Sequence, residues 1–327
     1  MAPDVQSADG GSAAAHGTWG LLPHFGIARF SGPDAIAFLQ GQLSNDMRRL
    51  GAGASLLAAL SSPQGRVVSV MHLMPHSSGI VAVLPREMVA PSLERLRKFV
   101  LRAKVKLEEL TEEFAVIGAQ GSGLGGIPAP DAAANYRETG GVGVSRVRPQ
   151  ASSRASRYLI IGPRAELAQE PLRGLARLRS AAGPVEIDAE RSEQEWRLAD
   201  IRSGVPQVYA STSEMFVAQM LNLDLIDGIS FSKGCYTGQE IIARTQHLGR
   251  IKRRLSRLAL PQGHWSIGQA LRLADGRSGR LTELAPAGEG FEALAVLSLE
   301  AGVPDGEAAA SEAVAARELP LPYREAP

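Results

Sequence analysis

The most informative stretch of the sequence is ISFSKGCYTGQEIIAR, residues 229–244. It holds the only cysteine of the chain, Cys235, between Gly234 and Gly238. Glycine adopts backbone angles that other residues avoid, so this spacing predicts a tight turn around the cysteine, followed by a helix over QEIIAR. The positive end of that helix and the neighbouring Lys233 both favour a thiolate over a thiol. Cys235 is therefore a candidate functional group.

An inert role for Cys235 is the alternative, because a free cysteine most often behaves as a small buried hydrophobic side chain. The flanking glycines argue against that interpretation. None of the six histidines has a spacing that places it beside Cys235, so the sequence does not indicate a catalytic triad.

Length and composition indicate a globular protein of more than one domain. The chain has 327 residues, of which 44% are hydrophobic and 21% charged. Single hydrophobic cores stop growing at roughly 250–300 residues, so we expect two or three domains. The 35 basic and 34 acidic residues give a net charge of +1, which excludes a global field that would attract nucleic acid or an anionic membrane.

The cysteine count and the termini bear on location and metal binding. One cysteine excludes an intramolecular disulfide and a metal site built from several of the chain's own thiolates, and we expect no metal site. Residues 1–17 lack the apolar core of a secretory signal and predict a disordered tail. No run of about 18 apolar residues is present, so we expect no membrane association and a cytoplasmic location.

Hydrophobic patterning predicts an α+β architecture. A strand–turn–strand pattern in the first third is followed by alternating strand and helix patterns in the middle and by short strands after residue 251. The individual predictions are helices over 31–43, from Ser92 onward and over 165–178, and strands over 66–74, 80–84, 104–107, 114–118 and 158–161.

Three blocks in this order resemble the YgfZ family of folate-binding proteins, which is related to the glycine-cleavage T-protein. They are FLQGQLSND at 38–46, WRLADIRSGVP at 196–206 and KGCYTGQE at 233–240. The resemblance extends over residues 25–255. It implies a T-protein-like fold, in which two α+β subdomains and a C-terminal β-barrel surround a central folate-binding hole.

The implied domains follow from that fold. Residues 18–115 together with 190–248 would form the folate-binding domain, and residues 116–189 a second α+β subdomain. Residues 249–318 would form the β-barrel, and residues 319–327 a tail.

The resemblance also implies a function and a set of site residues. Family members are folate-binding accessory proteins for iron–sulfur cluster assembly or repair, which indirectly support tRNA modification by iron–sulfur enzymes. The implied functional thiol is Cys235, the implied cofactor is tetrahydrofolate or a related reduced folate, and the implied partners are iron–sulfur client or assembly proteins. The folate-site residues carried over from the matching blocks are Phe25, Trp196, Gln42, Asn45, Lys233, Tyr236, Gln239 and Glu240.

The two aromatic residues, Trp196 and Phe25, match the family pattern to different degrees. Trp196 lies eight positions before Gly204, as the second pocket tryptophan of the family does, and its flat apolar face suits a heteroaromatic ring. Phe25 takes the place of the other pocket tryptophan, which preserves stacking but removes the indole donor. An ordinary core anchor on an amphipathic helix is the alternative for Trp196.

A departure from the T-protein concerns its acidic residues. Ser69 and Val70 stand where the resemblance places two adjacent aspartates, so the acid–base group of the aminomethyltransferase reaction is missing there. Gln64 replaces an expected lysine in the same turn. The alternative function is a folate-dependent one-carbon transferase whose acid–base group is Glu240 or Asp46.

Two further patterns have competing interpretations. The basic residues within 244–257 suit a polyglutamyl folate tail, an acidic partner or phosphates. They lack the interleaved aromatic residues that are typical of single-stranded RNA binding, and this argues against direct RNA contact. The alternative is a solvated surface paired with acids. The sequence GSGLGG at 121–126 matches a dinucleotide-binding pattern, but Pro128 and Pro130 interrupt the required helix, and we interpret it as a loop.

Overall fold

The computed structural model describes residues 17–121, 130, 135–147, 156–167, 185–186, 188–302 and 313–323. The strands in these ranges are β1 Thr18–Leu21, β2 Phe25–Ser31, β3 Leu56–Ser61, β4 Val67–His76, β5 Gly79–Pro85, β6 Lys106–Glu109, β7 Phe114–Gly121, β8 Tyr136–Thr139, β9 Val142–Arg146, β10 Ser156–Pro163, β11 Val185–Glu186, β12 Arg253–Leu260, β13 Ala270–Leu273, β14 Ser278–Ala287, β15 Gly290–Ser298, β16 Ala313–Val314 and β17 Arg317–Leu319. The α-helices are α1 Ala35–Gln40, α2 Val89–Arg97, α3 Arg164–Leu167, α4 Ala189–Ser203 and α5 Gln239–His247, and short 3-10 helices cover Met47–Ala52, Arg86–Met88 and Ala218–Leu221.

The strands form three sheets. The first has the order β3-β4-β5-β2-β6, the second β11-β1-β7-β10-β9-β8, and the third β16-β13-β14-β15-β12-β17. Pairing is antiparallel except between β1 and β11 and between β13 and β16. The predicted α+β class is therefore confirmed, with most of the regular structure in strands.

The first and second sheets pack face to face. Phe25, Val81 and Val83 of the first sheet share one buried cluster with Val116 and Leu159 of the second. The other face of the first sheet is covered by α1 and α2 in a separate cluster. One face of the first sheet thus builds the core of its own layer, while the other face meets the second sheet.

Helix α4 lies against all three layers. Its N-cap Asp188 accepts a hydrogen bond from the Arg191 amide, and it ends at Gly204 in the left-handed region with φ 66°. Trp196 extends into the cluster between the first two sheets. Toward the third sheet, Arg197 pairs with the buried Glu283 at 2.8 Å. The helix therefore connects the C-terminal sheet to the region between the other two.

Several predicted elements differ in their bounds. The helix predicted over 31–43 is shorter, since Gly32 has φ 112° and the helix begins only at Ala35. The helix predicted from Ser92 onward begins earlier, at Val89, so Ser92 lies inside α2 and does not cap it, and its hydroxyl donates to Ser69 Oγ. The helix predicted over 165–178 is described only as far as Leu167. Most of the 121–126 loop lies outside the described residues, as does the 1–17 tail apart from Gly17.

The domain boundaries stay a prediction, but two contacts refine them. Strand β1, expected in the folate-binding domain, pairs with β7 and belongs to the second sheet. The segment from residue 319 was expected to be a tail, yet Leu321 is buried and Tyr323 donates to the Gly204 carbonyl at 2.7 Å. The end of the described chain therefore packs against the C-terminus of α4. No helix within the described ranges combines the length and apolarity needed to span a bilayer.

Candidate functional site

A cavity of about 280 Å³ lies between the first two sheets and is closed by α4. Strands β2 to β5 of the first sheet supply one wall, and β9 and β10 of the second supply the other. The lining residues are Phe25, Ser55, Leu56, Leu57, Val70, His72, Val83, Asn135, Arg146, Val147, Leu159, Trp196, Asp200, Val205, Gln207, Ile226 and Asp227. Apolar walls with a few polar groups are typical of a small-molecule site.

Both predicted pocket aromatic residues line this cavity. Phe25 is 6% exposed and Trp196 only 2%. The Arg157 guanidinium lies over the Trp196 ring at 4.2 Å from its centroid, and the ring also packs so closely on Gly118 that a Cβ there would lie 2.5 Å from it. Trp196 therefore presents little ring surface to a ligand, and it is a core anchor as well as a cavity residue.

A buried carboxylate lies beside Trp196. Asp200 follows Trp196 by one helical turn and accepts a hydrogen bond from Arg157 at 2.7 Å and a longer one from Gln207 at 3.4 Å. Burial raises the pKa of Asp200, and Arg157 opposes that rise. Paired with a cation, Asp200 still has oxygen lone pairs that suit ligand N–H donors.

A chain of neutral polar groups crosses from one sheet to the other. His72 Nε2 lies 2.8 Å from Ser145 Oγ, which lies 2.7 Å from Ser55 Oγ. Asn135 closes the arrangement by accepting from the Ser55 amide and donating to the Ser55 carbonyl. Burial lowers the pKa of His72 to about 4, so its imidazole is neutral at neutral pH.

One cation faces the cavity without an acidic partner in the described ranges. Arg146 donates through Nη2 to the Pro130 carbonyl, while its buried Nε has no hydrogen-bond partner. A guanidinium with unused donors suits a carboxylate ligand. The wall thus offers a positive group at one place and a carboxylate, Asp200, at another.

The donor set fits a reduced folate, which combines a flat heterocycle bearing amide and amine groups with a carboxylate tail. Phe25 and the apolar walls suit the ring, while Asp200, Gln207 and His72 suit its polar edge. The positive charge of Arg146 suits the tail. The volume of about 280 Å³ lies just below the range of roughly 300–1,000 Å³ found for ligand pockets, which suits the ring system with the tail extending outward.

Cys235 is exposed, and it does not line the cavity. As predicted, it precedes a helix: Gly238 has φ 83° and α5 begins at Gln239. A Cβ at Gly238 would lie 2.5 Å from the Ser62 carbonyl oxygen, so the β3–β4 turn fixes this position as glycine. The loop is anchored on its inner side, and the thiol points outward from it.

Lys233 has a different setting from the one predicted. Its Nζ donates to the carbonyls of Gln40, Leu43 and Asn45 at 2.6, 2.6 and 2.9 Å. These bonds use all three ammonium hydrogens and leave none for the Cys235 thiol. Burial lowers the pKa of Lys233 to about 8. The ammonium therefore holds the cysteine loop to the C-terminal end of α1.

The remaining predicted folate residues lie around this loop rather than on the cavity wall. Tyr236 is buried under Lys233, Gln42 accepts from the Thr237 hydroxyl at 3.2 Å, and Gln239 and Glu240 begin α5. Asn45 lies between the two regions, because its amide donates to the carbonyls of the cavity residues Leu57 and Asp227 while its own carbonyl accepts from Lys233.

The proposed acid–base positions are also outside the cavity. Glu240 lies on α5, and the hydrogen bond from Arg48 holds the pKa of Asp46 well below its usual range. Of the two residues that replace the expected aspartates, Val70 lines the cavity and Ser69 points into the core toward Ser92. The cavity is apolar where the aminomethyltransferase pattern calls for a carboxylate.

The basic stretch within 244–257 does not form one free positive surface. Arg250, Arg254 and Arg257 pair with Glu300, Asp224 and Glu292. This pairing favours the interpretation of a solvated surface matched by acids.

Comparisons with known proteins agree with this geometry, although no family model matches the chain. A protein of Colwellia psychrerythraea named tRNA-modifying protein YgfZ is 35% identical over 240 residues, 72% of this chain and 69% of that protein. The protein of the same name from Escherichia coli K12 is 30% identical over 275 residues, 80% of this chain and 78% of that protein.

The structure is similar to that of glycine cleavage system aminomethyltransferase T from Bartonella henselae, with a TM-score of 0.63 and 15% sequence identity over 95% of this chain and 87% of that one. Identity this low shows the fold alone, and the T-protein-like fold is confirmed. Taken with the identities above, the KGCYTGQE loop and the cavity between two sheets lead to one conclusion: the chain belongs to the family of tRNA-modifying protein YgfZ.

Proposed function

We propose that this chain binds a reduced folate, such as tetrahydrofolate, in the cavity and supports the assembly or repair of iron–sulfur clusters in other proteins through the thiol of Cys235. A bound reduced folate supplies a ring amine that can carry one-carbon units. The tRNA modification named for the relatives would depend on this chain indirectly, through iron–sulfur client enzymes.

The observation that carries the folate proposal is the composition of the cavity wall. Phe25 and the apolar walls accept a flat ring, and Asp200 and His72 offer hydrogen-bond partners without a free charge at neutral pH. Arg146 supplies the positive group that a carboxylate tail requires. These groups come from both sheets and from α4, so the folded chain assembles a site that no single segment contains.

The thiol proposal rests on exposure and on a rigid base. Cys235 is exposed, whereas its neighbours Lys233, Tyr236 and Gly238 are fixed by α1, the core and the β3–β4 turn. One thiolate cannot hold an iron–sulfur cluster alone, so the client or assembly protein would supply the other ligands. Asn45 connects this loop to the cavity wall through its bonds to Leu57 and Lys233.

Calorimetric titration with tetrahydrofolate tests the folate proposal. We expect micromolar binding to the wild type and at least a tenfold loss in Val205→Phe, whose ring would occupy the cavity. Leu299→Phe is the control, because Leu299 is exposed outside the cavity. If the wild type binds no reduced folate, or if Val205→Phe binds as tightly as the wild type, the proposal fails.

Complementation tests the thiol proposal in cells that lack this protein. Cys235→Ser should keep the fold and tetrahydrofolate affinity but give no support to iron–sulfur enzyme activity. Ser232→Ala changes an exposed neighbour in the same loop and should behave as wild type. Normal enzyme activity with Cys235→Ser would exclude a role for the thiol.

A further inference from the structure

The cavity contains a hydrogen-bond chain that begins and ends on its own surface. His72 lines the cavity at one end, and Ser55 lines it at the other. Ser145, which is fully buried, joins them at 2.8 and 2.7 Å. Neither the cysteine loop nor the ion pairs of α4 require this chain, so the proposed function leaves the link from His72 to Ser55 unexplained.

The two ring nitrogens of His72 are not equivalent. Nε2 is taken by Ser145, whereas Nδ1 makes no hydrogen bond to the part of the chain that the structure describes. Nδ1 is also not among the buried polar atoms that lack a partner, so it is accessible. Because His72 lines the cavity, its accessible nitrogen faces the space that a ligand would occupy.

We propose that His72 binds the heterocycle of the ligand through Nδ1, and that the hydroxyls of Ser145 and Ser55 accommodate either neutral tautomer of its ring. The proposal rests on the proposed folate function and deepens it, because it names the ring nitrogen of His72 that contacts the ligand. His72 follows Val70 by two positions on β4, so the two side chains share the face of the strand that lines the cavity.

The chain can run in either direction. When a ligand N–H donates to Nδ1, the proton of His72 is on Nε2 and donates to Ser145, which donates to Ser55. When a ligand nitrogen accepts from Nδ1, Ser55 donates to Ser145 and Ser145 donates to Nε2. A hydroxyl both donates and accepts, so the chain can take either direction without creating a charge.

The neutral state of His72 makes this possible. A protonated imidazole donates from both nitrogens, whereas a neutral ring has one donor and one acceptor. Burial lowers its pKa to about 4, which keeps the ring neutral at physiological pH. A reduced ring has additional N–H donors, and His72 can present an acceptor to them at Nδ1. To an oxidised ring, His72 can present a donor at the same nitrogen.

Two substitutions separate the ligand contact from the structural contact. The side-chain amide of asparagine can place its oxygen, an acceptor, near the position of Nδ1, and that of glutamine can place its nitrogen near the position of Nε2. His72→Gln should keep the bond to Ser145 and the melting temperature, yet weaken tetrahydrofolate binding about tenfold, the loss of one hydrogen bond that leaves a buried partner unsatisfied. His72→Asn should bind more tightly than His72→Gln although it has lost the bond to Ser145.

The tautomer gives a second readout that does not depend on affinity. Nitrogen-15 NMR distinguishes a protonated ring nitrogen from one with a lone pair, and the His72 signals are those absent from His72→Asn. We expect a neutral ring in the free protein, and a shift toward the tautomer with a lone pair at Nδ1 when tetrahydrofolate is added.

The outcomes separate this proposal from the one on which it rests. If the wild type binds no folate, both the folate proposal and the role of His72 are overturned. Wild-type binding with an unchanged affinity in His72→Gln overturns the role of His72 alone. Equal losses in both variants, with ring signals that tetrahydrofolate does not change, show a structural role and also overturn it.

Discussion

Replacing Lys233 by methionine tests whether this motif residue serves the fold or the thiol. Methionine keeps most of the side-chain volume but removes the ammonium, which donates to three carbonyls at the end of α1. The carbonyls of Leu43 and Asn45 are buried with their residues, so water cannot readily replace the lost donor.

The expected loss follows from those three bonds. A hydrogen bond to a charged group contributes about 1.5–3 kcal/mol. The cost of burying the ammonium, reflected in the Lys233 pKa of about 8, offsets about half of the combined gain. We therefore expect Lys233→Met to lower the free energy of unfolding by about 3 kcal/mol, which corresponds to roughly 6–12 °C in melting temperature for a domain of this size.

Thermal unfolding followed by circular dichroism measures the effect. Lys252→Met is the matched control, because Lys252 is exposed, and its melting temperature should stay within about 1 °C of wild type. Cys235→Ser should be equally neutral. A melting temperature of Lys233→Met close to that of the control would refute the anchoring role. Lys233 would then be assigned a role at the thiol or in ligand binding instead.

Three further predictions concern the cysteine loop, pH and α4. Gly238→Ala should destabilise the fold by about 3 kcal/mol, because the left-handed backbone and the contact with a carbonyl oxygen both oppose a Cβ; Gly234→Ala, with nothing within 4 Å, should change stability by less than about 0.5 kcal/mol in urea titrations. His72 is neutral in the fold but accepts a proton in the unfolded chain below the ordinary histidine pKa of 6.5, so its contribution is present above that pH and is lost as pH falls toward 4. Between pH 7 and 5, the free energy of unfolding of the wild type should therefore fall by up to about 2 kcal/mol more than that of His72→Asn. Equal decreases in the two proteins would contradict the low pKa of His72. Arg157→Met should cost about 3–5 kcal/mol by leaving the Asp200 carboxylate buried without its cation, and the double variant with Asp200→Leu should recover much of it; no recovery would exclude that explanation.

Local patterns predicted much of the fold. Alternating and helical periodicities identified β4, β5 and α5 because each of these elements is defined by its own residues. The bounds of α1 depend on the backbone angle at Gly32, and the hydroxyl of Ser92, inside α2, bonds across to Ser69 instead of capping the helix. Such contacts between distant segments leave no periodicity to detect.

The candidate site was predictable to a smaller extent. The family resemblance identified Phe25 and Trp196, and the four-residue spacing from Trp196 to Asp200 is a signal for a shared helix face that could have added the carboxylate. His72, Asn135 and Arg146 meet in the cavity only through the packing of two sheets. Lys233 lies two residues before the thiol, but its acceptors are main-chain carbonyls about 190 residues away. Every residue carries such a carbonyl, so the sequence does not single these out.

The contact of Tyr323 with Gly204 bears on when the cavity becomes complete during synthesis. Helix α4 supplies Trp196 and Asp200 to the cavity, but its C-terminus packs against Leu321 and Tyr323, and its outer face pairs with the third sheet. A nascent chain exposes its N-terminal sheets to folding first. Residues 321–323 leave the ribosome more than a hundred positions after α4, so the ligand site gains its last support only late in translation, and a ligand present at that moment would favour the finished fold.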